Sequence, residues 1–337
     1  MTTIYDIAKQ TGVSITTVSK ALNNYPDVGV KTKAKILAAV EEMGYYPNSS
    51  ARTLTTKKSW TLGVIFIEDL GVGIKHPFFS AVIQSFKQEV EKLGYDLIFL
   101  SQNIGQEKKS YLDHAIYRGV DGVVIVSSVK DDLEVLKLID SKIPTVVIDL
   151  HSNKSSVVYS DNFSGSELAV EHLFKLGHEK IAHIRGHQLT FAGFERYRGF
   201  MHAAEKFSLT IPSSYIVEGD FFSYEGGYNA MCKLLELKEP PTAVYTAGDM
   251  MAIGAINAIT DHGLDVPKDI SVVGFDDIEL SKFMTPKLTT VKQNTDLIGE
   301  NAAKLLLNQI SENHKVFTAV TIPVELINRA STAEVKK

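Results

Sequence analysis

The sequence predicts a small all-α head of helix-turn-helix type, followed by an α/β body of two doubly wound parallel-sheet lobes. Three observations predict it. Two short helical stretches meet at Gly12 near the start of the chain. From Thr61 onward, short apolar runs alternate with helical stretches in two successive series, the pattern of parallel strands with helices on both faces. The 337 residues exceed one simple domain and leave ample chain for a large core.

In the head, Ile4, Ile7 and Ala8 recur at helical spacing and can face a small core. Gly12 permits a positive-φ turn that a Cβ would resist. Ser14 is a good N-cap for a second helix, and Val18 then packs inward. Its outward positions Ile15, Thr16, Thr17, Ser19 and Lys20 are short or basic and suit base edges and phosphates in a major groove. A third helix is expected from Lys31 to Met43, with Val30, Ile36, Leu37, Val40 and Met43 as its apolar stripe and Gly44 as its terminator. Pro47 then breaks the chain, and Asn48 can cap a further short segment, Ser49 to Thr56. A helix that short is marginal in water, which suits a segment that folds on binding.

The first series in the body has runs at Leu62–Ile67, Leu97–Leu100, Val123–Val126 and Val146–Ile148, with helices at Phe78–Leu93, Lys108–Arg118 and Asp132–Ile139. The second has runs at Ile181–Ile184, Ile216–Val217, Ala243–Tyr245 and Ser271–Gly274, with helices at Gly165–Leu176, Phe194–Phe207, Glu225–Leu235 and Met250–His262. Nearly continuous Val, Ile and Leu in the runs fits strands buried on both faces. The tail holds one long helix, Leu297–Ile310, and one late run, Ala319–Leu326. Ligands of such sheets bind beyond the carboxyl ends of the strands, which directs attention to the residues just after each run.

Charge divides the same way. Residues 1–58 carry eight Lys and Arg against four Asp and Glu, so the head is +4 and the remainder −9 in a chain of net −5. A basic head on an acidic body localises attraction to phosphate. The single Cys232 excludes an intramolecular disulfide and a cysteine metal cage, and its neighbours Met231 and Leu234 suggest a small buried apolar group. No run is long and apolar enough for a membrane span, and no basic-then-apolar export signal opens the chain; the expected setting is cytoplasmic. A Walker loop, a full dinucleotide fingerprint, a nucleophile elbow and a His/Cys metal cluster are all missing from the sequence, so an enzyme is not expected. The loop Asp69–His76 contains Gly-Val-Gly without the third glycine of a dinucleotide loop, and a longer loop there can reshape a pocket rim.

These motifs resemble the lactose-repressor (LacI/GalR) family of transcription regulators. The matching residues are Thr3-Ile4-Tyr5-Asp6-Ile7-Ala8, Gly12-Val13-Ser14, Thr17-Val18-Ser19, and Pro47-Asn48 with Ala51-Arg52 and Leu54. In the body they are Asp161-Asn162, Gly177-His178, Gly199-Phe200, Gly274-Phe275-Asp276 and Leu288-Thr289-Thr290-Val291. The resemblance implies a DNA-binding domain at 1–46, a hinge helix at 47–58, and a periplasmic-binding-protein-like effector-binding and dimerisation domain at 59–337. In that domain the tail crosses back, giving lobe one about 59–160 plus 292–322 and lobe two about 161–291 plus 323–337.

By the same resemblance, Ile15, Thr16 and Lys20 read bases, Tyr5, Thr17, Ser19 and Asn23 fix register on phosphates, and Ser14 is counted among the DNA-binding residues. Lys20 stands where many relatives have an arginine and lacks its bidentate fork. Leu54, flanked by Asn48, Ala51 and Arg52 in the hinge, maps to a minor-groove wedge that bends the duplex. The expected partners are a near-palindromic operator, a second copy of the chain (a homodimer, with a tetramer left open), and a small-molecule effector, with no protein co-regulator identified. No cofactor or metal is expected. The effector is expected to be a sugar, with a purine as the alternative; a sugar-binding protein without DNA function is the distant reading.

The implied effector residues are Phe78, Phe79, Asp149, Arg196, Phe222, Asp249 and Asp276. Asp276 ends a strand and can accept from two hydroxyls, Arg196 offers a fixed fork of donors, and the aromatic rings can cover a pyranose or stack on a base. Asp149, Ser101 and Gln102 also end strands of the first lobe. Gly248 replaces an amide found in some relatives. Asp and Gly at strand ends are also ordinary turn formers, and Phe78 and Phe79 can equally be core staples.

Overall fold

The computed structural model describes residues 2–46, 58–66, 73–127, 129–150, 152–312 and 317–336. The chain forms two compact units, Met1–Ser59 and Trp60–Lys337.

The first unit holds α1 (Ile4–Thr11), α2 (Ile15–Leu22) and α3 (Val30–Glu42). The start of α1 is fixed by the Asp6 carboxylate, which accepts from the Thr3 backbone N–H at 2.8 Å and its hydroxyl at 2.7 Å. Gly12 adopts φ 66° at the turn, and the Ser14 hydroxyl accepts from the Thr17 N–H at 3.1 Å to open α2. Ile7, Val18 and Ile36 are fully buried and meet Ala8 and Ala21 in one small core. The α3 stripe differs from expectation. Val30 and Leu37 are 85% and 45% exposed, and Ala39 is buried instead. Val30 is the first residue of α3, and Leu37 lies one step round the helix from Ile36, off the core-facing line.

The second unit contains two six-stranded sheets. Lobe one runs β1 (Thr61–Phe66), α4 (Pro77–Glu91), β2 (Asp96–Phe99), a small hairpin of β3 (Asn103–Ile104) and β4 (Glu107–Lys108), α5 (Tyr111–Arg118), β5 (Gly122–Ser127), α6 (Leu133–Ile139), β6 (Thr145–Ile148) and β7 (Ser156–Ser160). Lobe two runs α7 (Asn162–Lys175), β8 (Ile181–Arg185), α8 (Phe191–Lys206), β9 (Ile216–Glu218), α9 (Tyr224–Leu235), β10 (Ala243–Thr246), α10 (Asp249–Asp261), β11 (Ser271–Asp276) and β12 (Thr289–Lys292). The tail adds α11 (Thr295–Glu312), β13 (Ala319–Ile322) and β14 (Glu325–Ile327). The strand orders are β13-β7-β6-β5-β1-β2 and β14-β12-β11-β10-β8-β9, parallel throughout except that β14 runs antiparallel to β12. Helices cover both faces, so each lobe has two apolar layers. This is the doubly wound class read from the sequence.

Three local expectations are corrected. The late run Ala319–Leu326 is two strands in two different sheets, parted at Pro323-Val324; proline has no N–H for a ladder. Strands β7 and β12 did not register as apolar runs because Ser and Thr occupy several of their positions. Two of those buried hydroxyls have partners in distant segments: Ser156 Oγ accepts from Gln309 Nε2 at 3.0 Å, and Thr290 Oγ1 donates to Asp249 Oδ1 at 2.5 Å. Finally, Lys108 belongs to the β3–β4 hairpin, and α5 starts later, where Ser110 and Asp113 form a reciprocal cap. No helix among the described residues is long and apolar enough to cross a membrane.

Candidate nucleic-acid interface and ligand cleft

In the head unit, Tyr5, Ile15 and Thr16 are exposed, with Tyr5 at 68%. Ser14 and Thr17 are linked through their hydroxyls at 2.8 Å and serve the helix cap as well as the surface. Ser19 and Asn23 are half-buried, and Asn23 Nδ2 closes α2 by donating to the Ser19 carbonyl at 2.9 Å. The Lys20 ammonium is paired with the Asp27 carboxylate, whose pKa it holds below the ordinary value. Both side chains are solvent-exposed, so this pair is weak and leaves Lys20 able to exchange Asp27 for a phosphate or a guanine. Asn48, Ala51, Arg52 and Leu54 lie outside the described residues.

In the second unit, the carboxyl ends of both sheets converge on Arg196. The guanidinium sits 3.7 Å over the Phe275 ring and 5.5 Å from that of Phe222. Its Nε donates to Asn162 Oδ1 at 2.8 Å and its Nη1 to the Ala247 carbonyl, and Asp276 Oδ1 lies 3.5 Å from Nη1. Gln293 Nε2 donates to the same Asp276 oxygen at 2.7 Å. Burial pushes the pKa of Asp276 and of Asp149 up to about 6, with Arg196 opposing it in both. His76, just before α4, is also in reach of the Arg196 charge. Burial, then that charge, pulls its imidazole down to about 4, so the ring is neutral at neutral pH.

Several buried polar atoms have no hydrogen-bond partner among the described residues: Ser160 Oγ, Gln293 Oε1 and both His76 ring nitrogens, while the Asp149 carboxyl faces the Asn162 side chain. Asp149 follows β6, Ser160 ends β7, Asn162 opens α7, and Gln293 follows β12. Buried polar groups are ordinarily satisfied, so these are atoms that a bound ligand would pair. The lobes touch beside it: Lys130 N donates to the Leu189 carbonyl at 2.8 Å, and Phe221 packs on the lobe-one cluster of Leu100, Tyr111 and Leu150.

Not every expected effector residue is free for a ligand. Phe78 is 4% exposed and packs in the lobe-one core, so it is a staple. Phe79 is half-buried, edge-on to Phe66 and beside His76. Asp249 is fully buried and both its oxygens are spent, Oδ1 on Thr290 and Oδ2 on the Ile278 N–H at 2.9 Å. Burial, then Asp276, raises its pKa well above normal. It braces the strand ends. Phe222 is a wall: a Cβ on Gly186 would meet its ring at 2.5 Å. A Cβ on Gly248 would have Asp276 Oδ2 at 3.5 Å and Phe222 at 3.4 Å, both ordinary contact distances, so this position borders the two residues. Ser160 and Gln293 escaped notice because they close the two strands that the apolar pattern did not show. Asn162 stood in the quoted Asp161-Asn162 pair, but only its bond to Arg196 reveals its use.

Residues 3–48 match the lacI family of bacterial regulatory proteins, and residues 170–332 match a periplasmic binding protein-like domain. The HTH-type transcriptional repressor PurR of Haemophilus influenzae (strain PittEE) is 36% identical over 342 residues, covering 99% of this chain and all of the relative. The chain belongs to the lacI family. It is a DNA-binding transcriptional repressor, as its lacI relatives are, and not an enzyme. Among solved lacI-type structures, the lac repressor dimer bound to operator and the anti-inducer ONPF is similar over 98% of this chain and 99% of its own, with TM-score 0.84 and 30% identity. The regulator CelR in complex with cellobiose covers 98% and 100%, with TM-score 0.73 and 27% identity.

Proposed function

We propose that this repressor binds a near-palindromic operator as a homodimer and is controlled by a sugar in the inter-lobe cleft. Ile15, Thr16 and Lys20 read base edges, Tyr5, Thr17, Ser19 and Asn23 set the register on phosphates, Ser14 belongs to the same DNA-binding set, and Leu54 wedges the minor groove, with Asn48, Ala51 and Arg52 also assigned to DNA. Two copies supply the paired hinge segments and match the two half-sites. The sugar binds the two cleft conformations differently and thereby shifts the DNA-binding equilibrium.

The observation that carries the sugar reading is the set of unpartnered polar atoms on Ser160, Gln293 and His76, together with the Arg196–Asp276 pair. A polyol satisfies such a set from several directions. A purine is the second reading, favoured by relatives that bear the name PurR. It needs an aromatic face; Arg196 covers Phe275 and His187 stacks on Phe221 at 4.1 Å, which leaves Phe222 and Phe79 as the candidate rings.

A thermal-shift panel of sugars and purines on the full-length protein tests the choice. A ligand at 100 times its dissociation constant adds about 2.7 kcal/mol. Stabilisation by sugars, followed by a sugar-dependent change in operator affinity, supports the reading. Stabilisation by purines alone transfers the cleft to the second one.

A further inference from the structure

Among the described residues of the head, the acids are Asp6, Asp27, Glu41 and Glu42. Asp6 is spent on the cap of α1, and Glu41 and Glu42 close α3. Asp27 differs: its carboxylate pairs with the ammonium of Lys20 in the last turn of α2. We infer that Asp27 is a specificity-determining residue for operator binding, and that the Lys20–Asp27 pair reads one G·C base pair as a unit. Lys20 donates to guanine, and Asp27 accepts from the amino group of the paired cytosine. The inference rests on the assignment of Lys20 to base edges and adds an acceptor beside that donor.

Local structure holds Asp27 in place. Helix α2 ends in a Schellman turn: Tyr25 N donates to the Lys20 carbonyl at 3.0 Å and Asn24 N to that of Ala21 at 3.2 Å, with Asn24 at φ 60°. Pro26 fixes its own φ, and Val28 packs against the head core. Asp27 thus sits between two restrained neighbours, and its side chain returns to α2. The hydrogen bond from Lys20 holds the carboxyl pKa below its ordinary value, so the group is ionised at neutral pH. The two side chains remain 42% and 53% exposed, which leaves both within reach of DNA.

The pair matches one base-pair edge. Guanine O6 and cytosine N4 share a Watson–Crick hydrogen bond, so an acceptor and a donor lie side by side about 3 Å apart in the major groove. An ammonium and a carboxylate in contact present the complementary groups at a similar spacing. The ammonium has further hydrogens and the carboxylate further lone pairs, so both can meet the bases without parting. An A·T pair also sets a donor beside an acceptor, but the neighbour of thymine O4 is a methyl group where guanine offers N7. A reversed C·G pair puts the carboxylate against guanine O6 and N7, acceptor against acceptor. A lone lysine tolerates these alternatives, and the carboxylate penalises them. The carboxylate also repels phosphate and so weakens binding to DNA that lacks the cognate pair.

The test is selection of binding sites from random double-stranded DNA by the full-length protein and by Asp27→Ala, Asp27→Asn and Lys20→Ala, with gel shifts on the selected sites and on a random duplex. The parent is expected to select a G·C pair of fixed orientation at one position of the site. Asp27→Ala should lose about ten-fold of the preference at that position alone and bind the random duplex more tightly. Asp27→Asn keeps an acceptor oxygen and should retain part of the preference. Lys20→Ala should relax the same position. If Asp27→Ala keeps every preference while Lys20→Ala loses one, Asp27 is only a counter-charge; the inference falls and the Lys20 reading stands. Equal losses in Asp27→Ala and Asp27→Asn assign the effect to charge and overturn the cytosine contact. If Lys20→Ala keeps every preference, both readings fall.

Discussion

Arg329 reaches from the C-terminal segment to Asp277, with Nη2 2.5 Å from Oδ1, and its Nη1 donates to the Leu288 carbonyl at 2.8 Å. Asp277 has φ 59° and Asp276 φ 125°, two successive side-chain-bearing residues in a region that favours glycine. On the other side of this turn, Asp249 holds the Ile278 N–H. The carboxylate that meets Arg196 is thus aimed by a turn clamped from two directions. Arg329→Met removes the cation from the largely buried Asp277 carboxylate, leaving it the Ser281 hydroxyl at 3.2 Å, and should lower stability by about 3 kcal/mol. It should also weaken effector binding about ten-fold, with Arg329→Lys recovering part of both. Urea unfolding and calorimetry read the two effects, and an effector affinity unchanged in Arg329→Met sinks the positioning role.

Asp276→Asn keeps the shape of the side chain and removes its charge. The loss of charged hydrogen bonds should cost effector binding about 1.5–3 kcal/mol. Operator affinity without effector should stay at the parent value, because the head is a separate unit. Gel shifts with and without effector measure both, and a preserved effector response would falsify the assignment of Asp276.

Asp149 makes the protein less stable when ionised. Its folded pKa of about 6 exceeds the ordinary 3.8, with burial as the main cause. The folded state therefore holds the proton more tightly, and stability falls as pH rises through this window. The cost is complete above pH 6 and vanishes near pH 4. Asp149→Asn should accordingly be more stable than the parent at pH 7, by at most about 3 kcal/mol. The two proteins should converge near pH 4. Denaturant midpoints at several pH values decide it; a constant difference across the range removes Asp149 as the source.

Lys20 offers a point charge where an arginine would offer a fork. Lys20→Arg should sharpen discrimination at one guanine of each half-site by about 1–3 kcal/mol. Binding to operator variants substituted one base pair at a time reads this directly. Uniform tightening on all sequences would place Lys20 on phosphate.

The head was legible in the sequence because its signals are local. Gly12, the Ser14 cap and the apolar spacing of α1 and α2 each act within one or two turns of helix and appear where expected, while the α3 stripe departs at Val30 and Leu37. The α/β class was legible for a similar reason: a strand buried on both faces must be apolar along its length. That rule failed at β7 and β12, where the buried Ser156 and Thr290 hydroxyls are satisfied by Gln309 and Asp249 from distant parts of the chain. With those strands went Ser160 and Gln293.

Arg196 and Asp276 could be named from motif and strand-end position, and 80 residues of chain separate them. Whether a named polar residue is engaged in bracing the fold or left open at the cleft depends on tertiary packing. Asp249 and Asp276 look alike in sequence, each at the end of a strand. One spends both oxygens on Thr290 and Ile278; the other meets Arg196 and Gln293 at the cleft. Phe78 and Phe79 are adjacent, yet helix geometry turns one into the core and the other toward Phe66 and His76. Sequence set the residue types and the periodicities that build strands and helices. The partners of each buried polar group depend on which strand ends are brought together, and that is a property of the assembled sheets.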